Sequence, residues 1–419
     1  MDLLDRANAE AADAADELAG FRSRFAGADD DSPGRLLYLD GNSLGRMPRE
    51  TPAAIARLVE EEWGRGLVGS WSSWIGLATA VGDRLAEGVL GARAGEVLVG
   101  DSTTVNLYKL LHAAVDARPG RDVVVCCADD FPTDRYVAAS VARARGLELR
   151  EVPADLDAGL DVDVLAAALD DRAAVLVLSH VAYRSGALAD LAGITHRARD
   201  AGVLVVWDLS HAAGSVPVQL TAAGADLAVG CTYKYLNGGP GSPAFAYVAS
   251  RHLHDLEQPV PGWVGHADPF SMSEVHVPAE GIRRLLSGTP SVVSLRLLEH
   301  ALTRFDGVDL SELRRTSERL TARAIQHADD LGLAVVTPRE ATERGSHVSL
   351  RHEHAWEVMQ ALIERGVIGD VRPPDLLRFG VAPLYTTDHD VDDAFARLAE
   401  VLRDASWRAF LDAPRPTVT

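Results

Sequence analysis

VLVVWDLSHAAG, residues 203–214, contains an apolar run that ends in one acidic residue, Asp208. An apolar run without polar alternation predicts a β-strand that is covered on both faces. A carboxylate at the end of such a strand costs free energy unless it is paired. Asp208 is therefore either a functional carboxylate or the N-cap of a following helix, and the segment alone leaves both interpretations open.

Similar apolar runs recur along the chain and alternate with Ala- and Arg-rich helical stretches. This alternation predicts an α/β fold with a mainly parallel, seven-stranded sheet. In sheets of this kind, ligands bind beyond the carboxyl ends of the strands. The predicted strands are 97–100, 123–127, 147–152, 174–180, 203–208, 226–231 and 244–249, and the helices predicted between them include 133–145, 162–170 and 191–201.

The pattern changes after about residue 290, where two long helical stretches lead into a strand–helix–strand unit. This arrangement predicts a smaller α+β domain at the C-terminus. Its helices and strands are predicted at 291–306, 310–331, 348–350, 356–365 and 377–382.

The N-terminal region is predicted to contain an amphipathic helix over residues 5–25. YLDGNSLG, at residues 38–45, is typical of a short strand that runs into a turn. We therefore expect an N-terminal segment, 1–50, that joins the small domain. A large domain over 51–295 and a small C-terminal domain over 296–419 follow it.

The 419-residue chain carries a formal net charge of −20. An acidic surface repels nucleic acid and anionic membranes, so neither is expected as a partner. The acidic, Ala-rich N-terminus lacks the regions of a signal peptide, and no apolar run is long enough to span a membrane. Cys126, Cys127 and Cys231 have no spacing suited to a disulfide framework or a metal, and no metal site is expected. These features predict a reduced, cytoplasmic protein.

Lys234 is one of only two lysines among the 41 basic residues, and it lies in CTYKYLNGGPGSPAF, residues 231–245. Arginine cannot lose its proton, whereas a buried lysine can, and the free amine then attacks carbonyl groups. A Schiff-base lysine and an acid for a pyridinium nitrogen are what a pyridoxal phosphate (PLP) enzyme requires. The alternative is that Lys234 is an ordinary loop residue of an Arg-rich chain. The other lysine, Lys109, has no such context and is predicted to lie on a helix surface.

Two further segments follow predicted strands and open predicted helices. DSTTVNLY, at residues 101–108, offers hydroxyl and backbone N–H groups that suit a phosphate, or else a plain N-cap. FPTD, at residues 131–134, begins with Phe131, which either stacks on a planar cofactor or belongs to the core. His211, three residues after Asp208, either contacts a cofactor or makes a structural hydrogen bond.

Three weaker signals lie later in the chain. GWVGH at residues 262–266 and SGTP at residues 287–290 are punctuated by glycine, which lets backbone approach a ligand closely. Arg378 lies in a predicted strand, where its guanidinium either binds a substrate carboxylate in bidentate fashion or forms an inter-strand ion pair.

Taken together, these segments resemble kynureninases, which are PLP enzymes of fold type I in the class V aminotransferase group. The resemblance extends from YLDGNSLG at residues 38–45 to LRFGVAPLY at residues 377–385, with the motifs in the same order and spacing. It implies hydrolytic cleavage of the Cβ–Cγ bond of L-kynurenine to anthranilate and L-alanine. That reaction belongs to tryptophan degradation through kynurenine and to NAD biosynthesis.

The resemblance also implies roles for individual residues. Lys234 would bond covalently to PLP, Asp208 would hold the pyridinium nitrogen, and Tyr233 would bind the phosphate and transfer a proton at the γ-carbonyl. The other residues implied at the cofactor are Thr103, Thr104, Phe131, Pro132, Thr133, Asp134, Ser179 and His211, together with Trp263 and Thr289 from a neighbouring subunit. Those implied at the small-molecule amino-acid substrate are Arg378 at the α-carboxylate, Asn42, Ser43 and Trp71. Because Trp263 and Thr289 would come from the neighbouring subunit, the resemblance also implies a homodimer with shared active sites.

Three residues bear on substrate preference. Val264 stands where Phe is commoner in the family, which would leave space near the substrate ring, and Ser179 replaces a frequent Thr. Trp71 falls where relatives that prefer unsubstituted kynurenine over 3-hydroxykynurenine tend to have Trp. An enzyme for a substituted kynurenine is one alternative. Another is a class V relative such as a cysteine desulfurase, although no cysteine follows Cys231.

Overall fold

The computed structural model describes residues 11–13, 15–32, 34–155 and 159–415. The strands in these ranges are β1 Leu37–Tyr38, β2 Val97–Val99, β3 Val123–Cys127, β4 Glu148–Val152, β5 Ala154–Asp155, β6 Gly159–Leu160, β7 Ala173–Ser179, β8 Leu204–Asp208, β9 Leu227–Gly230, β10 Phe245–Val248, β11 Ala334–Val335, β12 His347–Arg351, β13 Val367–Ile368, β14 Asp370–Arg372 and β15 Leu376–Gly380.

Helices connect and cover these strands. The α-helices with described bounds are α1 Thr51–Arg57, α2 Trp71–Trp74, α3 Leu77–Leu85, α4 Thr103–Asp116, α5 Pro132–Arg145, α6 Val162–Ala168, α7 Leu191–Asp200, α8 Val292–Leu302, α9 Leu310–Asp330, α10 Ala355–Glu364 and α11 Asp388–Asp404. Tighter or wider helical turns occupy Ala19–Arg24, Leu58–Arg65, Leu67–Ser70, Ala86–Leu90, Ser250–His252, Trp263–Gly265, Gly281–Leu285, Thr303–Phe305, Ala341–Glu343 and Ser406–Phe410.

The large sheet has seven strands in the order β2-β10-β9-β8-β7-β3-β4. All of them run parallel except β10, which is antiparallel to both of its neighbours. The central strands β3, β7, β8 and β9 are buried almost throughout, as expected for apolar runs with both faces covered. The predicted mainly parallel, seven-stranded sheet is therefore confirmed, and each predicted strand contributes to it.

The smaller sheet, β11-β12-β15-β14, is antiparallel throughout. Residues of α9, α10 and α11 pack with it in a second hydrophobic core, separate from the core around the large sheet. The predicted C-terminal α+β unit is therefore present.

The N-terminal segment packs on the small unit through β1, which pairs in parallel with β13. Leu37 and Leu39 belong to the second core, whereas Phe25 belongs to the first. Leu298 and Leu313 also pack in the first core, beyond the predicted boundary at 295/296. The domain boundaries themselves stay a prediction.

The structure describes only part of the helix predicted over residues 5–25, because residues 5–10 and 14 lie outside the described residues. Its predicted C-terminal end is wrong, since Ala19–Arg24 forms a 3-10 helix. The Asp16 carboxylate accepts a hydrogen bond from the Leu18 N–H at 2.8 Å. Side-chain bonds of this kind compete with helical backbone bonds and interrupt an α-helix.

The prediction that Lys109 lies on a helix surface is wrong, because its side chain is only 2% exposed. It lies on α4, and its Nζ donates hydrogen bonds to Asp101 and to the Leu285 carbonyl. These long-range partners were not visible in the local helical pattern. Across the described ranges, no helix combines the length and the apolar character needed to cross a membrane.

Candidate active site

The site lies at the carboxyl ends of the central parallel strands, as the predicted topology requires. Asp208 is the last residue of β8 and pairs in register with Ser179, the last residue of β7. Lys234 follows β9 in a tight turn. A cavity of about 240 Å³ separates these elements from the start of α4. Its lining comprises Asp101, Ser102, Thr103, Thr104, Phe131, Thr133, Asp134, Asp208, Ser210, His211, Tyr233, Lys234, Gly241, Ser242 and Ala244.

The turn that carries Lys234 is held by backbone bonds on both sides. The Asn237 N–H donates to the Lys234 carbonyl at 2.9 Å, and the Gly238 N–H donates to the Thr232 carbonyl at 2.9 Å. Asn237 has a φ of +57°, a conformation that asparagine tolerates better than most residues. The Gly-rich sequence after Lys234 therefore closes the turn and presents the amine to the cavity.

Lys234 Nζ lies 3.1 Å from Nε2 of His211. Burial, and after it the charge of Lys234, lowers the pKa of His211 well below its usual range. A neutral imidazole can accept a hydrogen bond from the Lys234 side chain. The contact with His211 therefore orients the Lys234 amine within the cavity.

Two carboxyl groups, those of Asp134 and Asp208, line the cavity, and the nearby Asp130 carboxyl borders a neighbouring cavity. Oδ1 of Asp208 accepts hydrogen bonds from the Ser210 N–H at 2.9 Å and the Ser210 hydroxyl at 2.6 Å. Burial, followed by the charges of Asp208 and Asp130, raises the pKa of Asp134 well above its usual range. Asp134 therefore holds its proton more tightly than an exposed aspartate does, and in its protonated form it can donate to Asp208.

The first turn of α4 forms the opposite wall. Ser102 is its N-cap, and the Ser102 hydroxyl accepts from the Val105 N–H at 3.3 Å. Thr103 and Thr104 follow and line the cavity. Free backbone N–H groups, hydroxyls and the positive end of the helix dipole together fit a phosphate group.

Phe131 precedes α5 and lines the same cavity. It is 40% exposed, so the interpretation of this residue as part of the core is wrong. Its ring meets that of Tyr183 edge-on, with centroids 5.3 Å apart. An aromatic ring exposed at the mouth of a cavity can stack on a planar group, and the cavity as a whole therefore fits PLP.

Arg378 lies in a second cluster, on strand β15 and fully buried. Its Nε donates to Oδ1 of Asp370 at 2.7 Å, and its Nη2 also bonds to this carboxylate and, at 3.2 Å, to the Ser43 hydroxyl. The Asn42 amide oxygen, in the orientation that satisfies both groups, accepts from Arg378 at 2.8 Å and 3.0 Å. The three residues predicted at the substrate carboxylate are thus adjacent, and Asp370 occupies the guanidinium fork.

Arg372 adds a second guanidinium to this cluster, with its Nη2 at 2.7 Å from Asp370. Its Nε is buried and has no hydrogen-bond partner in the part of the chain that the structure describes. Burial, and after it the charge of Asp370, raises the pKa of nearby Asp40 to about 7. When Asp40 is protonated, two arginines face the single carboxylate of Asp370. The cluster then has a net positive charge that can bind one more carboxylate.

Eight predicted site residues do not line the Lys234 cavity: Arg378, Asn42 and Ser43 of the second cluster, and also Pro132, Ser179, Trp263, Thr289 and Trp71. The Ser179 N–H donates to Asp130 at 2.9 Å, and Ser179 borders a neighbouring cavity. Thr289 lines a separate cavity that shares Asp101 and Gly241 with the first. Trp263 contacts Trp71 with ring centroids 5.9 Å apart, and Pro132 opens α5 behind Phe131.

Sequence reasoning missed four residues that belong to these clusters. Ser210 could have been found from its position two residues after Asp208, where hydroxyls commonly bond to a carboxylate. Asp101 stands directly before the helix-start hydroxyls. Asp370 and Arg372 gave no local signal, because their relation to Arg378 depends on the pairing of β14 with β15.

Comparison with known proteins shows the family of this chain. A family model described as the kynureninase C-terminal domain matches residues 313–398. The chain is 47% identical over 411 residues to a kynureninase of Deinococcus radiodurans, covering 95% of this chain and 97% of the relative. The chain belongs to the kynureninase family. A kynureninase of Burkholderia pseudomallei is 45% identical over 428 residues, covering 99% of both chains. Family membership therefore extends over the whole chain.

Solved structures of two other enzymes are similar to this member of the kynureninase family. The apo cysteine desulfurase of Thermococcus onnurineus has a TM-score of 0.77 and 18% identity, covering 88% of this chain and 95% of its own. A cystine C–S lyase variant with glycine covalently linked to its PLP cofactor has a TM-score of 0.80 and 19% identity, covering 90% and 99%. At these identities the likeness shows the fold alone, and it agrees with the predicted fold type I architecture.

Proposed function

We propose that this chain is a PLP-dependent hydrolase that cleaves the Cβ–Cγ bond of L-kynurenine, giving anthranilate and L-alanine. The observation that carries the proposal is the cavity in which Lys234 meets neutral His211, opposite Asp208 and the start of α4. Full-length similarity to kynureninases at 45–47% identity supports the same reaction.

PLP would be held by the residues that line this cavity. Lys234 would bond to its aldehyde, Thr103 and Thr104 would bind its phosphate, and Phe131 would cover its ring. Asp208, which lies beside Asp134, would pair with the ring nitrogen. When bound, PLP supplies an electron sink for the negative charge that develops at the substrate Cα.

Proton transfer would then depend on three side chains. Nζ of Lys234 would remove the Cα proton, with Nε2 of His211 as its hydrogen-bond acceptor at 3.1 Å. Burial raises the pKa of Tyr233, so its hydroxyl keeps its proton and can donate it near the γ-carbonyl. These groups lie in one cavity, which supports the assignment of proton transfer to them.

Arg378 and Arg372 would bind the substrate α-carboxylate. The guanidinium fork of Arg378 already bonds to Asp370, so an incoming carboxylate would share the excess positive charge of the two arginines. Asn42 and Ser43 would fix the guanidinium from the other side, and Trp71 would contact the substrate ring. Val264 is fully buried and belongs to the core of the large unit.

We also propose a homodimer in which Trp263 and Thr289 contribute to the neighbouring active site. Several large apolar side chains are exposed on the two segments that flank Trp71 and Trp263. These are Trp63, Leu67, Val68, Phe270 and Met272, and we call them the exposed apolar surface. Ring contacts of Trp263 with Trp71 and Phe270 bring the two segments together. Apolar surface of this kind typically marks a protein interface.

Cysteine desulfurase activity, suggested by the fold alone, is not favoured. Burial raises the pKa of the Cys126 and Cys127 thiols to about 12, and Cys231 is also buried with a raised pKa. A persulfide nucleophile needs an accessible thiolate. The three free, buried thiols instead support our proposal of a cytoplasmic location.

The test is to add PLP to the purified protein and follow both absorbance and anthranilate fluorescence. We expect a new absorbance band from the Lys234-bound cofactor and turnover of L-kynurenine. The Lys234→Ala variant should show neither, while it keeps its melting temperature within a few degrees. Turnover of 3-hydroxykynurenine under the same conditions measures substrate preference. An unchanged spectrum on adding PLP to the parent protein would refute the cofactor assignment.

A further inference from the structure

Lys109 is the second of the two lysines, and the proposed reaction gives it no role. Its Nζ donates to Oδ2 of Asp101 at 2.7 Å and to the Leu285 carbonyl at 2.8 Å. The Lys109 side chain is 2% exposed, whereas the Asp101 side chain is 37% exposed. A buried ammonium group is unfavourable without such partners, so these two bonds determine where the charge lies.

Asp101 stands at the phosphate end of the candidate cofactor site. It directly precedes the N-cap Ser102, and it lines both the Lys234 cavity and the adjoining cavity that contains Thr289. Its φ of +51° is uncommon for a residue other than glycine, and its backbone is tied to Ala244, whose N–H donates to the Asp101 carbonyl at 3.0 Å. The Asp101 carboxylate is thereby fixed at the rim.

An uncompensated carboxylate at this position would repel a phosphate dianion bound at the start of α4. The ammonium group of Lys109 cancels that charge from the buried side. Its second bond reaches Leu285, in the segment that leads to Thr289, so the same group joins both walls of the phosphate end.

We propose that Lys109 is a positioning residue for the cofactor phosphate and acts through Asp101. It neutralises the Asp101 carboxylate and so allows the phosphate to bind at the start of α4. The inference rests on the proposed PLP dependence of the chain. It also explains why an otherwise Arg-rich chain has lysine here, since a compact ammonium can satisfy two acceptors within a buried site.

The test compares PLP with pyridoxal, which has the same aldehyde and no phosphate. The cofactor-free protein is titrated with each compound, and the absorbance of the Lys234-bound form gives the two dissociation constants. In Lys109→Met we expect the dissociation constant for PLP to rise on the order of tenfold, because Asp101 is left uncompensated. The constant for pyridoxal should change little.

Charge removal at Asp101 provides a rescue. In the double variant Lys109→Met with Asp101→Asn, both charges are absent, and asparagine tolerates the positive φ. We expect the preference for PLP over pyridoxal to return close to that of the parent protein. Lys109→Gln loses the charge but keeps hydrogen-bond donors, so it should fold even if Lys109→Met does not. It should show the same selective loss of PLP affinity.

Leu111→Ala is the matched control, because Leu111 is buried on the same helix. It should lower the melting temperature without changing the ratio of the two dissociation constants. The inference is refuted if the lysine variants weaken both compounds equally, if they weaken neither, or if the double variant recovers nothing. A parent protein that binds neither compound would instead refute the proposed PLP dependence.

Discussion

At the scale of single residues, the site is built from acids and bases whose protonation is set by burial. Asp130 is buried next to the candidate site and accepts hydrogen bonds from the Ser179 N–H at 2.9 Å and the Cys127 N–H at 3.0 Å. Burial nevertheless raises the pKa of Asp130 to about 7. The folded chain therefore binds this proton more tightly than the unfolded chain, whose aspartates have a pKa of about 4.

This difference predicts a pH-dependent contribution to stability. As pH rises from about 4 to about 7, the unfolded chain releases the Asp130 proton before the folded chain does, so stability falls by up to about 1.4 kcal/mol per pH unit. Asp130→Asn removes this titrating group. Any stability that the substitution itself costs is the same at every pH. We expect the variant to gain melting temperature relative to the parent between about pH 5 and about pH 8. A difference in melting temperature that stays constant would show that Asp130 is ionised throughout.

At the scale of elements, the site depends on how the N-terminal loop fits the turn that carries Lys234. The Gly45 N–H donates to the Tyr233 carbonyl at 2.8 Å. A Cβ atom at Gly45 would lie 2.2 Å from the Lys234 carbonyl oxygen and 2.9 Å from the Asn237 Cα. The two segments therefore approach each other so closely that any residue other than glycine at position 45 would clash.

Gly45→Ala should displace the Lys234 turn, because the neighbouring atoms belong to backbone and cannot move independently. We expect a loss of about 1–3 kcal/mol in stability, as in other overpacked sites, together with weaker PLP binding. Calorimetry and absorbance titration measure the two effects.

Gly88→Ala is the control for this prediction, since its Cβ would meet open space within the helical turn Ala86–Leu90. Alanine there should leave PLP binding unchanged and stabilise the protein by a few tenths to about 1 kcal/mol. If Gly45→Ala behaves like this control, the close fit of loop and turn does not matter for the site.

At the scale of the whole molecule, the exposed apolar surface points to assembly of two chains. Val68 and Met272 are 78% and 77% exposed, an unusual degree for apolar side chains outside an interface. The segments that carry them also carry Trp71 and Trp263, which the proposed function assigns to shared active sites. Assembly and cofactor binding should therefore be linked.

Val68→Asp should weaken the dimer at least about tenfold, because a buried, unpaired carboxylate disfavours the interface. Light scattering at micromolar concentrations would detect the shift to monomer, and the same samples should bind PLP less tightly. Leu411→Asp, at an exposed apolar residue near the C-terminus, should leave the mass unchanged. An unchanged mass for Val68→Asp would place the interface elsewhere.

Sequence patterns predicted all seven strands of the large sheet, and most of the residues predicted at the cofactor line one cavity, while their roles stay predictions. Continuous apolar runs predict buried strands, and the strand ends then place Asp208, Phe131 and the helix-start hydroxyls at one edge of the sheet. Lys234 was identifiable by its chemistry, because lysine is nearly absent from the chain. Local patterns could not show that Asp16 ends the N-terminal helix early or that Phe131 is exposed at the cavity.

The sequence by itself determined the seven strands of the large sheet, the residues at the ends of those strands and the resemblance to the kynureninase family. Tertiary structure alone decided that Lys109 is buried, that His211 lies beside Lys234, and that Asp370 occupies the fork of Arg378. The reason is physical. Periodicity reports which face of an element is apolar, whereas ion pairs and pKa shifts depend on distances between residues that only chain packing brings together.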